Sequence, residues 1–342
     1  MVVFQMINAI LTSDLHLTDN PLEAYRWDIF PYLSKIAKEN NATHIFILGD
    51  ITDRADKHSS KLLNRIVNDL AIVNDETNAS IVILMGNHDA GIGDIPYWTF
   101  LNDMEYKIVY VTTPVMYQDI YLLPYAHKPI EEWKDLPLAS AKCIFMHQTI
   151  NNSLAERDRK LTGSPMPKMP NIPIYSGDVH RPQEIDGVVY VGAPYPVRFS
   201  ETWSTRVLLI SSNDYGKYKV IPINIMNRAI LEIGKADQLY QAKKFVTGDQ
   251  VKIRYNLSSK EIADWPLQQE EIKEWAKNTG VTLVSLEAVF KDDIPSPEQT
   301  AEKATNFELL KPEEIIRIFG EEEKLSQEVM DCGIELLKGI EK

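Results

Sequence analysis

The chain has 342 residues, 44% hydrophobic and 25% charged, with a formal net charge of −13. That length can bury a sizeable core and suggests two domains or one domain with additions, and the composition is that of a folded globular protein, which excludes disordered and fibrous classes. The acidic total argues against a protein that grips nucleic acid by its own charge, since Lys and Arg contacts to phosphate supply most nonspecific affinity. Any hold on DNA is then shared with metal ions or a partner. Cys143 and Cys332 stand far apart in no metal-type spacing, as expected of a reduced, cytoplasmic protein. No apolar run approaches the roughly 18 residues that span a bilayer. The apolar opening, residues 1–11, lacks a basic segment and reads as a first strand, not a signal peptide.

In chain order, residues 6–12 predict a strand with Asp14 and His16 just past its end. Residues 21–40 predict a helix capped by Asp19 or Asn20, with Tyr25, Ile29, Leu33 and Ile36 at near-helical spacing and a bend at Pro31. A short strand over 44–48 ends at Gly49-Asp50. Residues 60–75 form an amphipathic helix with Leu63, Ile66, Val67, Leu70 and Val73 on one face, and the apolar run 80–85 is a strand that breaks at Gly86-Asn87-His88-Asp89. This alternation gives a sheet with helices packed on it. After Tyr106 come short strands at 107–112, 120–123, 142–146, 172–176, 188–191, 206–210 and 217–223 with few helices between them, so a second sheet stacks on the first. Residues 160–171, with three prolines and two methionines, are a loop, either a rim over the site or a connector.

The sheets end near 225–239. A strand over 249–255, a helix over 266–278 and a strand over 281–290 suggest a small cap, followed by a polar linker over 291–306. Two short helices, 311–319 and 322–337, then carry apolar stripes (Ile315, Ile316, Phe319; Leu325, Val329, Ile334, Leu337) on a background of 12 acids against 6 bases from Glu298 onward. They dock back on the cap or bind another protein's helix. The expected domains are 1–225, bearing the strand-end motifs, 226–293, the cap, and 294–342, linker and tail.

Five clusters sit at strand ends: Asp14-Leu-His16, Gly49-Asp50, Gly86-Asn-His-Asp89, His147 and Gly177-Asp-Val-His180. Carboxylates, imidazoles and an amide suit Mn²⁺, Fe²⁺ or Zn²⁺ better than Ca²⁺, which prefers oxygen alone. Two such ions about 3.5–4 Å apart, bridged by one carboxylate, clamp a phosphoryl group. Each cluster alone has a plainer explanation: Asp14 as a cap, Gly49-Asp50 as a turn, His147 as a satisfied core histidine. Jointly, four of the seven histidines and three strand-end carboxylates fall into one ordered pattern, which favours the metal reading.

The order Asp-x-His, Gly-Asp, Gly-Asn-His-Asp, His, Gly-x-x-His resembles the calcineurin-like metallophosphoesterase superfamily. The stretches Thr12-Ser-Asp-Leu-His-Leu17, Gly49-Asp-Ile-Thr-Asp53 and Val191-Gly-Ala-Pro-Tyr-Pro-Val-Arg-Phe-Ser-Glu201, with the cap and the two-helix tail, are similar to its SbcD-type DNA-repair nuclease branch. The resemblance implies an α/β sandwich of two stacked mixed β-sheets flanked by helices, with a small α+β cap domain and a C-terminal two-helix tail. It implies a Mn²⁺-dependent exonuclease and endonuclease in DNA recombination, repair or replication, with Mg²⁺ as the other candidate metal. Its partners would be DNA, an SbcC-type coiled-coil ATPase bound through the tail helices, and a second copy met through the amino-terminal helices, in a bacterial cell or a phage-infected host. Carried over by residue, it assigns Asp14, His16, Asp50 and His180 to one metal, with Asp50 bridging and Asn87, His147 and Asp178 completing the second. His88 becomes the catalytic histidine, imidazole being the one side-chain type with a near-neutral pKa for proton transfer, with Asp89 placed to orient its ring.

One departure is plain: the family usually has histidine where this chain has Asp178, and the added oxygen and charge favour Mn²⁺ or Mg²⁺ over Zn²⁺ there. Arg54, Lys57 and His58 are candidate substrate contacts, against a solvated face for the two cations and an exposed helix-start position for His58. His44 and His127 read as structural. Two other functions fit less of the sequence: a stand-alone phosphodiesterase for nucleotides or small phosphoesters, and a metal-free scaffold on a decayed phosphoesterase fold.

Overall fold

Regular structure starts with β1 (Asn8–Thr12), four of whose five residues are buried. In a computed structural model, which describes residues 6–53, 58–91, 96–241, 245–290 and 331, it is followed by α1 (Ile29–Asn40), β2 (His44–Ile47), α2 (Ser60–Thr77), β3 (Ser80–Leu84) and β4 (Ile108–Val111). These four strands pair in parallel in sequence order. The helix expected over 21–40 is two pieces, a 3-10 segment Pro21–Asp28 opened by Asn20, whose side chain accepts from the Leu22 amide, and then α1. The change from 3-10 to α-helix falls at Asp28, which itself keeps helical dihedrals, and the one non-helical residue is Glu23, so the expected bend at Pro31 is not found. Pro31 lies in the first turn of α1, where a missing N–H leaves no hydrogen bond unmade.

The second sheet takes β5 (Val115–Tyr117), β6 (Ile120–Leu123) and, after the single turn α3 (Pro129–Glu132), β7 (Cys143–His147), β8 (Ile174–Gly177), β9 (Gln183–Ile185) and β10 (Val188–Tyr190). The chain then returns to the first sheet with β11 (Arg206–Ser211), antiparallel to β1, and β12 (Tyr218–Pro222). The orders are β12-β11-β1-β2-β3-β4 and β5-β6-β7-β8-β10-β9, both mixed. Strand periodicity of two divides the core into layers. Ile10, Ile45, Ile47, Ile81 and Ile83 face Leu33, Ile36, Ile66 and Leu70 of α1 and α2. Their neighbours Leu11, Phe46, Val82 and Leu84 meet Leu122, Phe145 and Tyr175 between the sheets. On the outer face of the second sheet, Ile144, Met146 and Ile174 are covered by Trp133 and Leu138, with Leu161, Met166 and Met169 packed alongside. The proline-rich loop over 160–171 therefore contributes to a core. The fold is the expected α/β arrangement of two mixed sheets flanked by helices.

A third sheet combines β13 (Arg228–Ile233), β14 (Gln250–Leu257) and β15 (Thr282–Phe290), with α4 (Trp265–Thr279) between the last two in sequence. β13, parallel to β14, falls where the sequence suggested only that the sheets end. Its middle residues are half-buried or exposed without alternation, so no period-two signal marks it. The chain divides into two units, Met1–Tyr255 with Leu267–Glu287, and Asn256–Pro266 with Ala288–Lys342. The expected linker and tail helices lie outside the described residues, Asp331 excepted. Among the described residues no helix is long and apolar enough to cross a membrane.

His44, which opens β2, is buried; Nδ1 pairs with Thr43 Oγ1 at 2.8 Å and Nε2 with the Tyr117 hydroxyl at 3.1 Å. Burial pushes its pKa down to about 4. An unfolded chain would protonate it near 6.5, so the unfolded state takes up the proton first as pH falls. Stability is then complete above pH 6.5 and declines as pH drops toward 4. Between pH 7.5 and 4.5 the wild type is expected to lose about 2 kcal/mol that His44→Phe does not lose. Urea unfolding of both proteins at the two pH values checks this, and equal losses would refute it.

Candidate metal centre

β1, β2 and β3 run parallel, as do β7 and β8, so each strand delivers its following loop to one edge of its sheet. The two edges are stitched together. Nδ1 of His147 donates to the Leu48 carbonyl at 2.5 Å, and the Asp178 amide donates to Asp14 Oδ1 at 3.1 Å. Glycine makes the close approach feasible: a Cβ on Gly86 would lie 2.1 Å from Asp50 Oδ1, and one on Gly177 2.1 Å from both Leu48 O and Ser13 Oγ.

The backbone at this edge is strained. Asp14 (φ 55°), His16 (φ 43°), Asp50 (φ 56°) and Asp178 (φ 77°) all adopt the left-handed region, each at a cost of about 1 kcal/mol or more. Such outliers persist where their surroundings over-determine them, and at Asp50 the constraint comes from Asp89. Its buried carboxylate accepts from the amides of Asp50 (2.8 Å), Ile51 (3.0 Å) and Gly86 (3.0 Å). Asp89 therefore does not orient the His88 ring, as the sequence suggested. That ring is held by Nδ1 donating to the Asp53 carbonyl at 2.8 Å.

The remaining donors converge. Nε2 of His16 lies 2.9 Å from Nε2 of His180 and 3.6 Å from Asp50 Oδ2. On the other side of Asp50, Nε2 of His147 lies 3.4 Å from Oδ1, 3.8 Å from Asp178 Oδ1 and 3.0 Å from Asn87 Oδ1. Among the described residues, three triads have ligand atoms within 4.8 Å of one another: Asp14, His16 and His180; Asp14, Asp50 and His147; His16, Asp50 and His88. Asp14, His16 and Asp50 are each shared by two of these triads, so the positions adjoin one another around common donors.

The donor chemistry fits divalent cations. A carbonyl only accepts, so His147 carries a proton on Nδ1, and in the neutral ring Nε2 points a lone pair at carboxylate oxygens. Asp14 Oδ2 is buried without a hydrogen-bond partner among the described residues. With its amide oxygen and nitrogen exchanged, Asn87 donates its nitrogen to Asp50 Oδ2 at 3.1 Å and to His147 Nε2 at 3.0 Å; the other orientation offers the amide oxygen to a cation there. Burial disfavours the charge of Asp50, yet the imidazoles of His147 and His16 hold its carboxyl well below the usual range. Burial also opposes a charged His147, but the Asp50 carboxylate and then Asp178 and Asp14 raise it well above the ordinary value. Burial raises Asp14, and burial with the Asp50 charge pushes Asp89 up to about 7 against the pull of its amide donors. The cluster draws positive charge to itself, as protons or as metal.

Two carboxylates behind the imidazoles had no assigned role in the sequence. Glu201, buried, accepts from His180 Nδ1 at 2.7 Å and from the Val197 amide at 2.6 Å. Asp53 Oδ1 lies 2.9 Å from His16 Nδ1. A cavity of about 250 Å³ opens beside the cluster, walled by Asn87, His88, Asp178 and His180 and rimmed by Arg159, Arg181, Arg198 and Trp203. Of the substrate candidates, Arg54 and Lys57 lie outside the described residues. His58 packs on Tyr97 and Trp98 with Nε2 2.8 Å from Thr52 Oγ1, and the cavity walls do not include it.

The family model described as calcineurin-like phosphoesterase matches residues 7–192. No curated protein sequence matches the chain. Among solved structures the chain is similar to the nuclease MPE of Pseudomonas putida, with 15% identity over 62% of this chain and 87% of that one at a TM-score of 0.32. It is also similar to an archaeal phosphodiesterase, with 13% identity over 64% of this chain and 100% of that one at a TM-score of 0.35. The family match spans more than half of the sequence and contains every converging donor from Asp14 to His180, so the chain belongs to the calcineurin-like phosphoesterase family of metal-dependent hydrolases.

Proposed function

We propose that the protein is an SbcD-type nuclease, hydrolysing DNA phosphodiester bonds with two divalent ions, Mn²⁺ by preference. The observation that carries this reading is the pair of donor clusters on either side of Asp50 with His88 against them. Asp14, His16, Asp50 and His180 would hold one ion, and Asp50, Asn87, His147 and Asp178 the other. When bound, such a pair stabilises phosphoryl charge and lowers the pKa of water.

The chain's own side chains do the rest. His88 donates its Nδ1 proton to the Asp53 carbonyl; in the imidazolium form it would give its second proton, on Nε2, to the departing oxygen and remain a neutral ring. Asp89 keeps the loop bearing Asp50 in register with the loop bearing His88. Arg159, Arg181 and Arg198 offer guanidinium groups to phosphates, and Trp203 offers a ring for a base. A local cationic rim on a chain of net charge −13 supports a polyanionic substrate whose grip is shared. The shared grip also fits an SbcC-type ATPase partner bound through the acidic, apolar-striped tail, and the resemblance of the strand-end motifs extends the proposal to pairing of two nuclease chains.

His88→Ala is expected to slow nucleotide release from linear duplex DNA with Mn²⁺ by about 100-fold or more, with bound Mn²⁺ unchanged by elemental analysis. Loss of the metal together with the activity would instead make His88 a ligand, and undiminished activity would remove it from the chemical step. Asp178→His exchanges an oxygen donor for nitrogen at the second site. In metal-depleted protein it is expected to raise the Zn²⁺-to-Mn²⁺ activity ratio about tenfold. An unchanged ratio would mean that Asp178 does not set the metal preference.

A further inference from the structure

Resting on the metal reading above, we infer that Arg228 and Lys252 of the third sheet are positioning residues for the first metal site, acting through Phe199, Val197 and Glu201 on the imidazole of His180. The segment from Val191 to Thr205, between β10 and β11, has no helix or strand of its own, yet it carries the carboxylate that holds His180. Something outside it must fix its conformation.

The tie points are specific. Arg228, the first residue of β13, is buried; its Nη1 donates to the Val197 carbonyl at 2.6 Å and to the Tyr25 hydroxyl at 3.2 Å, and its Nη2 lies 3.6 Å from Glu23 Oε1. The guanidinium also sits 4.1 Å from the centre of the Phe199 ring, and Lys252 Nζ of β14 sits 4.7 Å from the same ring. Both are cation–π distances.

Val197 is the junction. Its amide donates to Glu201 Oε2, and Glu201 Oε1 receives the His180 Nδ1 proton, which turns Nε2 of His180 toward the donor cluster. Its carbonyl also accepts from Arg26 Nη2 at 3.3 Å. Arg26 Nη1 in turn lies 3.2 Å from Asp53 Oδ2, and Asp53 stands behind His16. One peptide group thus links the third sheet to the carboxylates behind both imidazoles of that site. Carboxylates in this position set the tautomer and orientation of a ligating histidine, and their loss typically weakens metal binding 10–100-fold.

The test is Mn²⁺ titration of the full-length, metal-depleted protein by calorimetry. Glu201→Gln is expected to raise the first-site dissociation constant about 10-fold or more, and Arg228→Met to raise it several-fold. The double variant should bind no more weakly than Glu201→Gln alone, because both changes act along one chain of contacts. Phe199→Leu keeps apolar volume and deletes only the ring under the two cations. It is expected to shift the constant in the same direction, which keeps the inference testable if Arg228→Met folds poorly. Lower melting temperatures with unchanged Mn²⁺ affinity in Arg228→Met and Phe199→Leu, or additive effects in the double variant, would overturn the inference alone. Failure of the wild type to bind Mn²⁺ would overturn the metal reading and this inference with it.

Discussion

Asp50 is fully enclosed, with His16 on one side of its carboxylate, His147 on the other, and the His88 amide donating to Oδ1 at 2.9 Å. Asp14, also enclosed, stands beside them with one oxygen unpartnered among the described residues. An isolated buried carboxylate is costly, and two within reach of each other are worse, unless positive charge lies between them. The rest of this edge follows from that requirement. Imidazoles converge from both sheets; those of His147 and His180 each commit one nitrogen to a carbonyl or carboxylate behind it and turn the other inward. The cost of burying these charges is offset by positive charge between them, carried by the imidazoles or supplied by a cation, and a ligand that binds only the folded state would stabilise it by mass action.

Sheet packing fixes where that can happen. Five parallel-running strand ends meet at one edge only because the two sheets stack through the apolar layer around Phe46, Phe145 and Tyr175. The left-handed residues at those ends turn the chain sharply enough to aim side chains at a common point, and Asp89 holds the turn with three backbone amides. Strain, braces and donors occupy the same few residues, so the site is part of what closes the fold at this edge. Removing Asp89 would release the backbone of both Asp50 and Gly86, although Asp89 does not itself face the cavity.

The donors were legible because each sits within a few residues of a strand end, and strand ends are marked by an apolar run that stops at polar residues or glycine. Residue type and position together carried that signal. Glu201 closes the stretch from Val191 that resembles the family branch, but no strand end marks its role: it lies 21 residues past the histidine it holds, in a segment without periodicity. The carbonyl of Asp53 that orients His88 is a backbone atom, which no side-chain pattern announces. Asp89 was read as the partner of His88 because the two are adjacent, but adjacent residues in a turn point apart, and the carboxylate went to the amides. β13 escaped for a similar reason. A half-exposed strand lacks the alternation by which strands are recognised, and its role shows only in the contacts that Arg228 makes across the chain. The arginines at 159, 181 and 198 lie on separate loops, so only folding gathers them.

Two kinds of charge result, and they are built differently. Arg26, Glu201, Asp50 and Asp14 are buried, and their partners are fixed by backbone and by one another; breaking one pair would strand the other charge. Arg159 and Arg198 have side chains 59% and 61% exposed and share one counter-ion, Glu156, at 3.6 and 3.9 Å. Exposed pairs of that length hold each other weakly. They can exchange Glu156 for a phosphate at little cost, while the buried set cannot exchange anything without loss of structure. On the proposed reading this separates the tasks. The ions are held by groups that do not move, and the polyanion is met by groups that do, so substrate can come and go beside a centre whose geometry stays constant.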